Sequence, residues 1–276
     1  MIPGRQHLLN VTVDVFDYGD PARRPRIPLA EALLPPNGDE SRRDPTEKTR
    51  TIIGHFNQLV VRAEGRTILV DGGVDGGEVE RGLLDRGIAP TDVTDVLITH
   101  GDHDHILGLV TEDGHPRYQG AVHTLHHDLW QSWIEDKEDA FYDPAQRAAA
   151  RGLLSLSGDR IRTVGDAPVE ILPGIEALPT PGHRLSHLAF RFQMIDRMLI
   201  ALGDAFIDPV FVAHPERGFV HDSDPEIANA TRRRLLREVG SDGVVLYSTH
   251  FPDRGLWQVK ADSGNEALYV PVTDRT

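Results

Sequence analysis

Apolar residues in this chain come mostly in short runs, with few long amphipathic stretches. Residues 11–16 (VTVDVF) alternate as a half-buried strand does. Residues 58–62 (QLVVR) and 67–70 (TILV) flank Glu64-Gly65-Arg66 and predict a hairpin whose second strand ends in Asp71-Gly72-Gly73. A short helix is expected over 77–86, stopped at Gly87, then an apolar strand over 93–98. Further on, the pattern predicts a strand at 121–124 and helices at 125–135 and 144–155. Short strands follow at 161–164, 169–172, 175–178, 187–193 and 197–202. The best-marked helix is 225–238, which Asp224 can cap, Pro225 can open and Gly240 can end. Strands at 243–247, 256–260 and 267–271 complete the series. Residues 19–50 hold six prolines and no periodicity, and read as a long loop, either a lid over a site or a surface excursion.

Strands and helices thus fall into two similar batches, each with several adjacent strands. That suits an α+β fold of two sheets packed face to face with helices outside. With 276 residues and no repeat or linker, one domain over 1–276 is expected, residues 1–50 forming an N-terminal extension or lid.

Composition narrows the chemistry. The net charge is -14, from 29 basic and 43 acidic side chains, which argues against nucleic acid as a partner. There is no cysteine, so any metal must be held by nitrogen and oxygen. No apolar run approaches the roughly 20 residues of a membrane span. Met1-Ile2-Pro3-Gly4-Arg5 lacks the apolar core of a signal peptide, and a cytoplasmic protein is expected. Fourteen histidines make accidental clusters common, so spacing has to decide.

Residues 99–108 read T-H-G-D-H-D-H-I-L-G and directly follow a predicted strand. In extended chain, side chains two apart share a side, so His100 and Asp102 can converge on one point. Asp104 and His105 fall where the chain turns toward a helix and can face a second point. Imidazoles and carboxylates packed this densely shift one another's pKa unless a cation joins them. Three later segments offer single ligands at strand ends: Thr180-Pro181-Gly182-His183, Gly203-Asp204 and Thr249-His250.

This series resembles the metallo-β-lactamase superfamily, whose signature is H-x-H-x-D-H after a strand, followed by a His, an Asp and a final His. The resemblance spans residues 52–260 and includes the Asp71-Gly72-Gly73 hairpin. It implies an αββα sandwich with two divalent metal ions at one edge. One ion would be held by His100, Asp102 and His183, the other by Asp104, His105 and His250, with Asp204 between them. Asp102 stands where the signature has His; a carboxylate there makes that shell harder and more anionic. Zinc is the default, and manganese, iron or cobalt become possible. His103 is an alternative ligand to Asp102.

The implied chemistry is hydrolysis by a metal-bound hydroxide, with Asp104 orienting it, on a small-molecule lactone or carboxylic ester. The run Asp208-Pro209 to Arg233 and His250-Phe251-Pro252 are similar to the branch holding methyl parathion hydrolase, lactonases and esterases. That branch makes a homodimer possible and phosphotriester hydrolysis the second choice; a non-catalytic metal-binding module is the rival outside enzymes. Phe206, Phe211 and Phe251 could line an apolar pocket or belong to the core. His187, four after His183, reads as strand packing with support of the site as the alternative, and His55 and Phe56 as possible pocket lining. His123, His126 and His127 read as a helix start, and Arg232, Arg233 and Arg234 as a solvated helix face.

Overall fold

The fold is known from a computed structural model that describes residues 9–35, 45–137, 143–239, 244–261 and 267–271. Met1 to Arg5 and the expected helix stop at Gly240 lie outside the described residues. In the first half the strands are β1 (Val11–Asp17), β2 (Arg26–Pro28), β3 (Thr51–Ile53), β4 (Asn57–Ala63), β5 (Arg66–Val70), β6 (Asp95–Leu97), β7 (Val122–His126) and β8 (Ile161–Val164). Between them lie helices α1 (Leu29–Ala32), α2 (Gly76–Leu84), α3 (His103–Ile106), α4 (His127–Ile134) and α5 (Pro144–Leu153). The second half supplies β9 (Val169–Leu172), β10 (Ile175–Pro179), β11 (Leu188–Gln193), β12 (Met198–Ala201), α6 (Pro209–Ala213), α7 (Pro225–Val239), β13 (Val244–Tyr247), β14 (Leu256–Ala261) and β15 (Ala267–Pro271).

Two mixed sheets result, ordered β1-β4-β5-β6-β7-β8 and β15-β14-β13-β12-β11-β10-β9. In the first, β5 to β8 run parallel, joined by helices; in the second only β12 and β13 do. Their central strands are apolar at successive positions because both faces are covered. Leu59, Val61, Ile68 and Val70 point inward against Phe190, Leu199, Ala201 and Tyr247 of the other sheet. The alternate residues Val60 and Leu69 face outward under α2, α4 and α5. Ile200, Val244 and Leu246 do the same under α6 and α7. The molecule is therefore the expected αββα sandwich, with one core between the sheets and one outside each.

Most predicted elements sit within two residues of their expected bounds. The exception is 19–50. It is not a featureless loop: β2 pairs with β3, and α1 buries Leu29 and Ala32 in the core of the second half. Leu34 N–H donates to the Gly218 carbonyl and Val220 N–H to that of Ala32. Glu47 and Arg217 form a buried ion pair. The contacts with residues 217–220 join positions 170 or more apart in sequence, so no local pattern announces them. Residues 36–44 of that segment lie outside the described residues. Among the described residues no helix is long and apolar enough to cross a membrane.

The hairpin and the metal-motif loop touch backbone to backbone. Gly72 N–H donates to His105 carbonyl oxygen at 2.7 Å, and Gly108 N–H to that of Gly73 at 2.9 Å. A Cβ on Gly108 would overlap the Gly72 carbonyl, which is backbone and cannot swing away. Gly108→Ala is therefore expected to cost about 1–3 kcal/mol by overpacking. Urea unfolding of the two proteins measures it, and an unchanged midpoint would show that this contact relaxes freely.

Candidate metal centre

The ends of four parallel strands meet at one edge of the sandwich. β5 delivers Asp71, β6 runs into Thr99 and His100, β12 into Asp204, and β13 into Thr249 and His250. The edge is stitched across the sheets. Leu188 N–H donates to Thr99 carbonyl oxygen at 2.8 Å, and Asn57 Nδ2 donates to the carbonyls of Thr249 and Phe251, each at 2.8 Å.

Two groups of side chains converge there. His100, His183 and Asp204 form one, and Asp104, His105 and His250 the other. Asp204 faces both. Its Oδ2 lies 3.6 Å from His183 Nε2 and 3.9 Å from His100 Nε2, and its Oδ1 lies 3.3 Å from His105 Nε2 and 3.4 Å from His250 Nε2. Asp102 Oδ2 is 3.4 Å from His183 Nε2 and 3.7 Å from His100 Nε2. His103 is exposed and turned toward Asp143, 3.8 Å away, outside both groups.

Each imidazole is oriented through Nδ1. His105 donates to Asp71 Oδ2 at 2.8 Å and His250 to the His55 carbonyl at 2.9 Å. His183 faces Asp222 Oδ1 at 3.4 Å. Thr99 Oγ1 donates its own proton to Asp71 Oδ2, so it accepts from His100 Nδ1 at 2.9 Å. Carboxylates and carbonyls only accept, so the Nδ1 positions carry the protons and every Nε2 is left to the centre.

The orphaned atoms test whether metal ions fit. His100 Nε2, His105 Nε2, His183 Nε2 and Asp204 Oδ1 are buried without a hydrogen-bond partner. Buried polar atoms left bare cost about 1–3 kcal/mol each, and here they cluster with lone pairs aimed at common points. Donor separations of 3.3–3.9 Å match the roughly 3.4 Å edge of a tetrahedron built on bonds of about 2.1 Å. The donor set, imidazole nitrogen with carboxylate oxygen, suits divalent ions.

Electrostatics agree. Burial pushes His105 down, yet Asp204, Asp71 and Asp104 hold it well above the usual histidine range. Burial opposes the charge of His250 too, but Asp204 raises it to about 9. Burial raises Asp204, and His250 and His105 more than reverse it. The pocket is short of positive charge and draws protons where no other cation sits.

Supporting residues explain the rest. Asp71 accepts from Thr99 N–H, Thr99 Oγ1 and His105. Its φ of +58° is a local signal that this residue is held for a reason. His187 is not mere strand packing: its Nε2 accepts from Asp204 N–H at 3.1 Å and its Nδ1 donates to Thr180 Oγ1. His55 contributes its carbonyl, and Phe56 stands edge-on to His250 at 6.0 Å. Phe206, Phe211 and Phe251 are fully buried and belong to the core, so they do not form a pocket wall. His123 lies in β7, not on a helix, and is buried; His126 caps α4. His126, Asp128 and Asp166 form a third group, but His126 Nδ1 accepts Asp128 N–H, which leaves the Nε2 proton facing Asp166.

The largest departure is Arg232, expected in solvent. Only Arg233 of the three is exposed. Arg232 is fully buried, forks onto Asp222 at 2.9 and 3.0 Å and donates to the Ala205 carbonyl at 2.7 Å. Charged residues at helical spacing look alike in the sequence whether water or a carboxylate faces them.

The Metallo-beta-lactamase superfamily model matches residues 55–250. No curated protein matches the sequence. Among solved structures, the dizinc quorum-quenching lactonase AidC, in complex with a product, is 18% identical; the alignment covers 98% of this chain and 97% of that one, with a TM-score of 0.76. The hydrolase AbOPH is 19% identical over 97% and 96%, TM-score 0.76. A probable metal-dependent hydrolase from Staphylococcus aureus is 15% identical over 98% and 99%, TM-score 0.75.

Arg232→Met leaves Asp222 a buried charge without its partner, which costs about 3–5 kcal/mol. Thermal or urea unfolding checks this, and Asp222→Asn added to Arg232→Met is expected to recover part of the loss. A loss below 1 kcal/mol would mean that the pair behaves as a surface pair.

Proposed function

Because the chain belongs to the metallo-beta-lactamase superfamily, we propose that it is a hydrolase whose centre holds two divalent metal ions and opens a lactone or carboxylic ester of a small molecule. The observation that supports this most is the set of buried, unpartnered Nε2 atoms of His100, His105 and His183, each ring held from behind through Nδ1, together with the bare Asp204 oxygen. In this reading His100, His183 and Asp102 would hold one ion and Asp104, His105 and His250 the other, with Asp204, which faces both groups, shared between them. Ions so placed would lower the pKa of a shared water and polarise the substrate's carbonyl oxygen.

The protein's own part is orientation and proton handling. Asp71 and Asp222 hold the His105 and His183 rings in the tautomer that presents Nε2. Asp104 is the more open carboxylate, its Oδ2 3.4 Å from His250 Nε2. It accepts the proton of the attacking water and returns it to the leaving alcohol oxygen, so the ester C–O bond breaks without a charged alkoxide departing. No serine or cysteine nucleophile is needed. The ester or lactone preference rests on the sequence resemblance and on the lactonase AidC among the similar structures; a phosphotriester is the second choice, given the hydrolase AbOPH.

Protein purified without chelator is expected to hold two ions per chain, and chelation to abolish turnover of aryl esters and lactones. A panel adding a phosphotriester and a cephalosporin decides the substrate class. No metal uptake would end the reading; faster turnover of the phosphotriester or the cephalosporin would end only the ester and lactone part.

Metal uptake should also release protons. With the His250 pKa raised to about 9 by Asp204, this ring holds a proton at neutral pH that an ion must displace, and His105 and His183 are shifted in the same direction by the carboxylates beside them. Affinity is therefore expected to rise with pH up to about 9 and fall below it. Zinc addition in weak buffer with a pH indicator reads the release directly; loading without it would contradict the assignment.

A further inference from the structure

Residues 54–56 run between the N-terminal segment and the centre and are tied to both. Gly54 N–H donates to the Pro25 carbonyl at 2.9 Å, Tyr18 N–H to that of Phe56 at 3.0 Å, and His250 Nδ1 to that of His55 at 2.9 Å. Phe56 stands edge-on to the His250 ring and tilted against that of Tyr18, its centroid 6.0 Å from each. The His55 side chain therefore starts beside a ligand of the candidate centre. Its tautomer is fixed from outside. Arg24 Nη1 lies 2.8 Å from His55 Nδ1, and a guanidinium only donates, so Nδ1 is the acceptor. Arg24 is held in turn: Nη2 donates to both oxygens of Asp17 at 2.5 Å, and the arginine side chain is only 8% exposed.

A ring that accepts at Nδ1 is neutral and carries its proton on Nε2. His55 is half-buried, and among the described residues its Nε2 meets no hydrogen-bond partner and is not one of the atoms sealed from solvent. A buried cation thus holds one histidine in a state whose open nitrogen donates and cannot accept. The rings of the candidate centre are turned the other way: His100, His105, His183 and His250 carry the proton on Nδ1 and leave a lone pair on Nε2. In that state His55 is no further metal ligand, and its complement is an oxygen. We propose that His55 is a specificity-determining residue that donates from Nε2 to an acceptor oxygen of the bound substrate, with Arg24 positioning it. The inference rests on the ester and lactone reading above, since such substrates carry acceptor oxygens. An ammonium group finds no acceptor there.

Two measurements on the full chain test it. The first needs neither metal nor substrate. Proton–nitrogen NMR of protein carrying isotope-labelled histidine reads the tautomer of each ring at neutral pH, and the His55 signal is the one lost in His55→Gln. The Nε2–H form is expected; a proton on Nδ1, alone or with one on Nε2, would overturn the proposal. The second is kinetic, on zinc-loaded protein with para-nitrophenyl butyrate and γ-nonalactone as probes. His55→Leu removes the donor and is expected to raise KM about 3- to 10-fold with kcat near wild type, the effect of one neutral hydrogen bond made equally to substrate and transition state. His55→Gln, whose amide oxygen can accept from Arg24 while its nitrogen donates, should recover most of that loss. Metal content is expected to stay unchanged in both variants, because the backbone carbonyl of residue 55 holds His250. A His55→Leu protein with wild-type KM for both probes, or one whose KM rises only with loss of metal, would overturn the proposal. Circular dichroism confirms folding, and the NMR result on wild-type protein decides should the leucine variant not fold. Wild-type protein that holds metal yet turns over neither probe would instead end the ester and lactone reading, and this inference with it.

Discussion

One buried carboxylate, Asp71, accepts from the backbone of Thr99, from its hydroxyl and from His105. Through Thr99 Oγ1 it also fixes His100. A single side chain at the end of β5 therefore orients a histidine of each ligand group. It can do so because β5 and β6 are parallel neighbours, so their carboxyl ends lie side by side. The backbone contact of Gly72 with His105 then brings the motif loop down onto that carboxylate. Most of what makes the centre rigid follows from this one acceptor and the close approach that glycine permits.

The other half of the centre is supported by a parallel arrangement with opposite chemistry. Arg232 on α7 holds Asp222, which faces His183, and also the carbonyl of Ala205 beside Asp204. His187 holds the Asp204 backbone from the other side. Both halves thus put a charged or polar group behind the histidines of the centre. A donor that is tethered at one end keeps its lone pair where it is needed when nothing is bound.

Much of this was legible in the sequence, and for identifiable reasons. Apolar runs bounded by turn residues marked nearly every strand, because central strands must be apolar on both faces. The spacing of His100, Asp102, Asp104 and His105 was readable because the motif is local. Supporting groups were not: Arg232, Asp222 and Arg184 reach their partners across loops, and nothing within a few residues of each distinguishes a buried cation from a solvated one. Phe206, Phe211 and Phe251 misled in the opposite way. Nearness in sequence to Asp204 and His250 suggested a pocket, but each side chain points away from the edge into the core. Residues 19–50 failed for want of periodicity, since the order of their described parts comes from the β2–β3 pairing and from contacts with residues 217–220.

Each ligand group draws on both halves of the chain. His100 to His105 come from the first sheet's half and His183 to His250 from the second's, with the sheets meeting mainly through apolar side chains. Anything that grips both sets acts as a crosslink between positions far apart in sequence. Closing so long a loop is slow, and it is entropically costly for the unfolded chain. A bound ion would then hold the halves together kinetically. Loss of the ion would show first as loosening of the seam between the sheets, well before either sheet unravels.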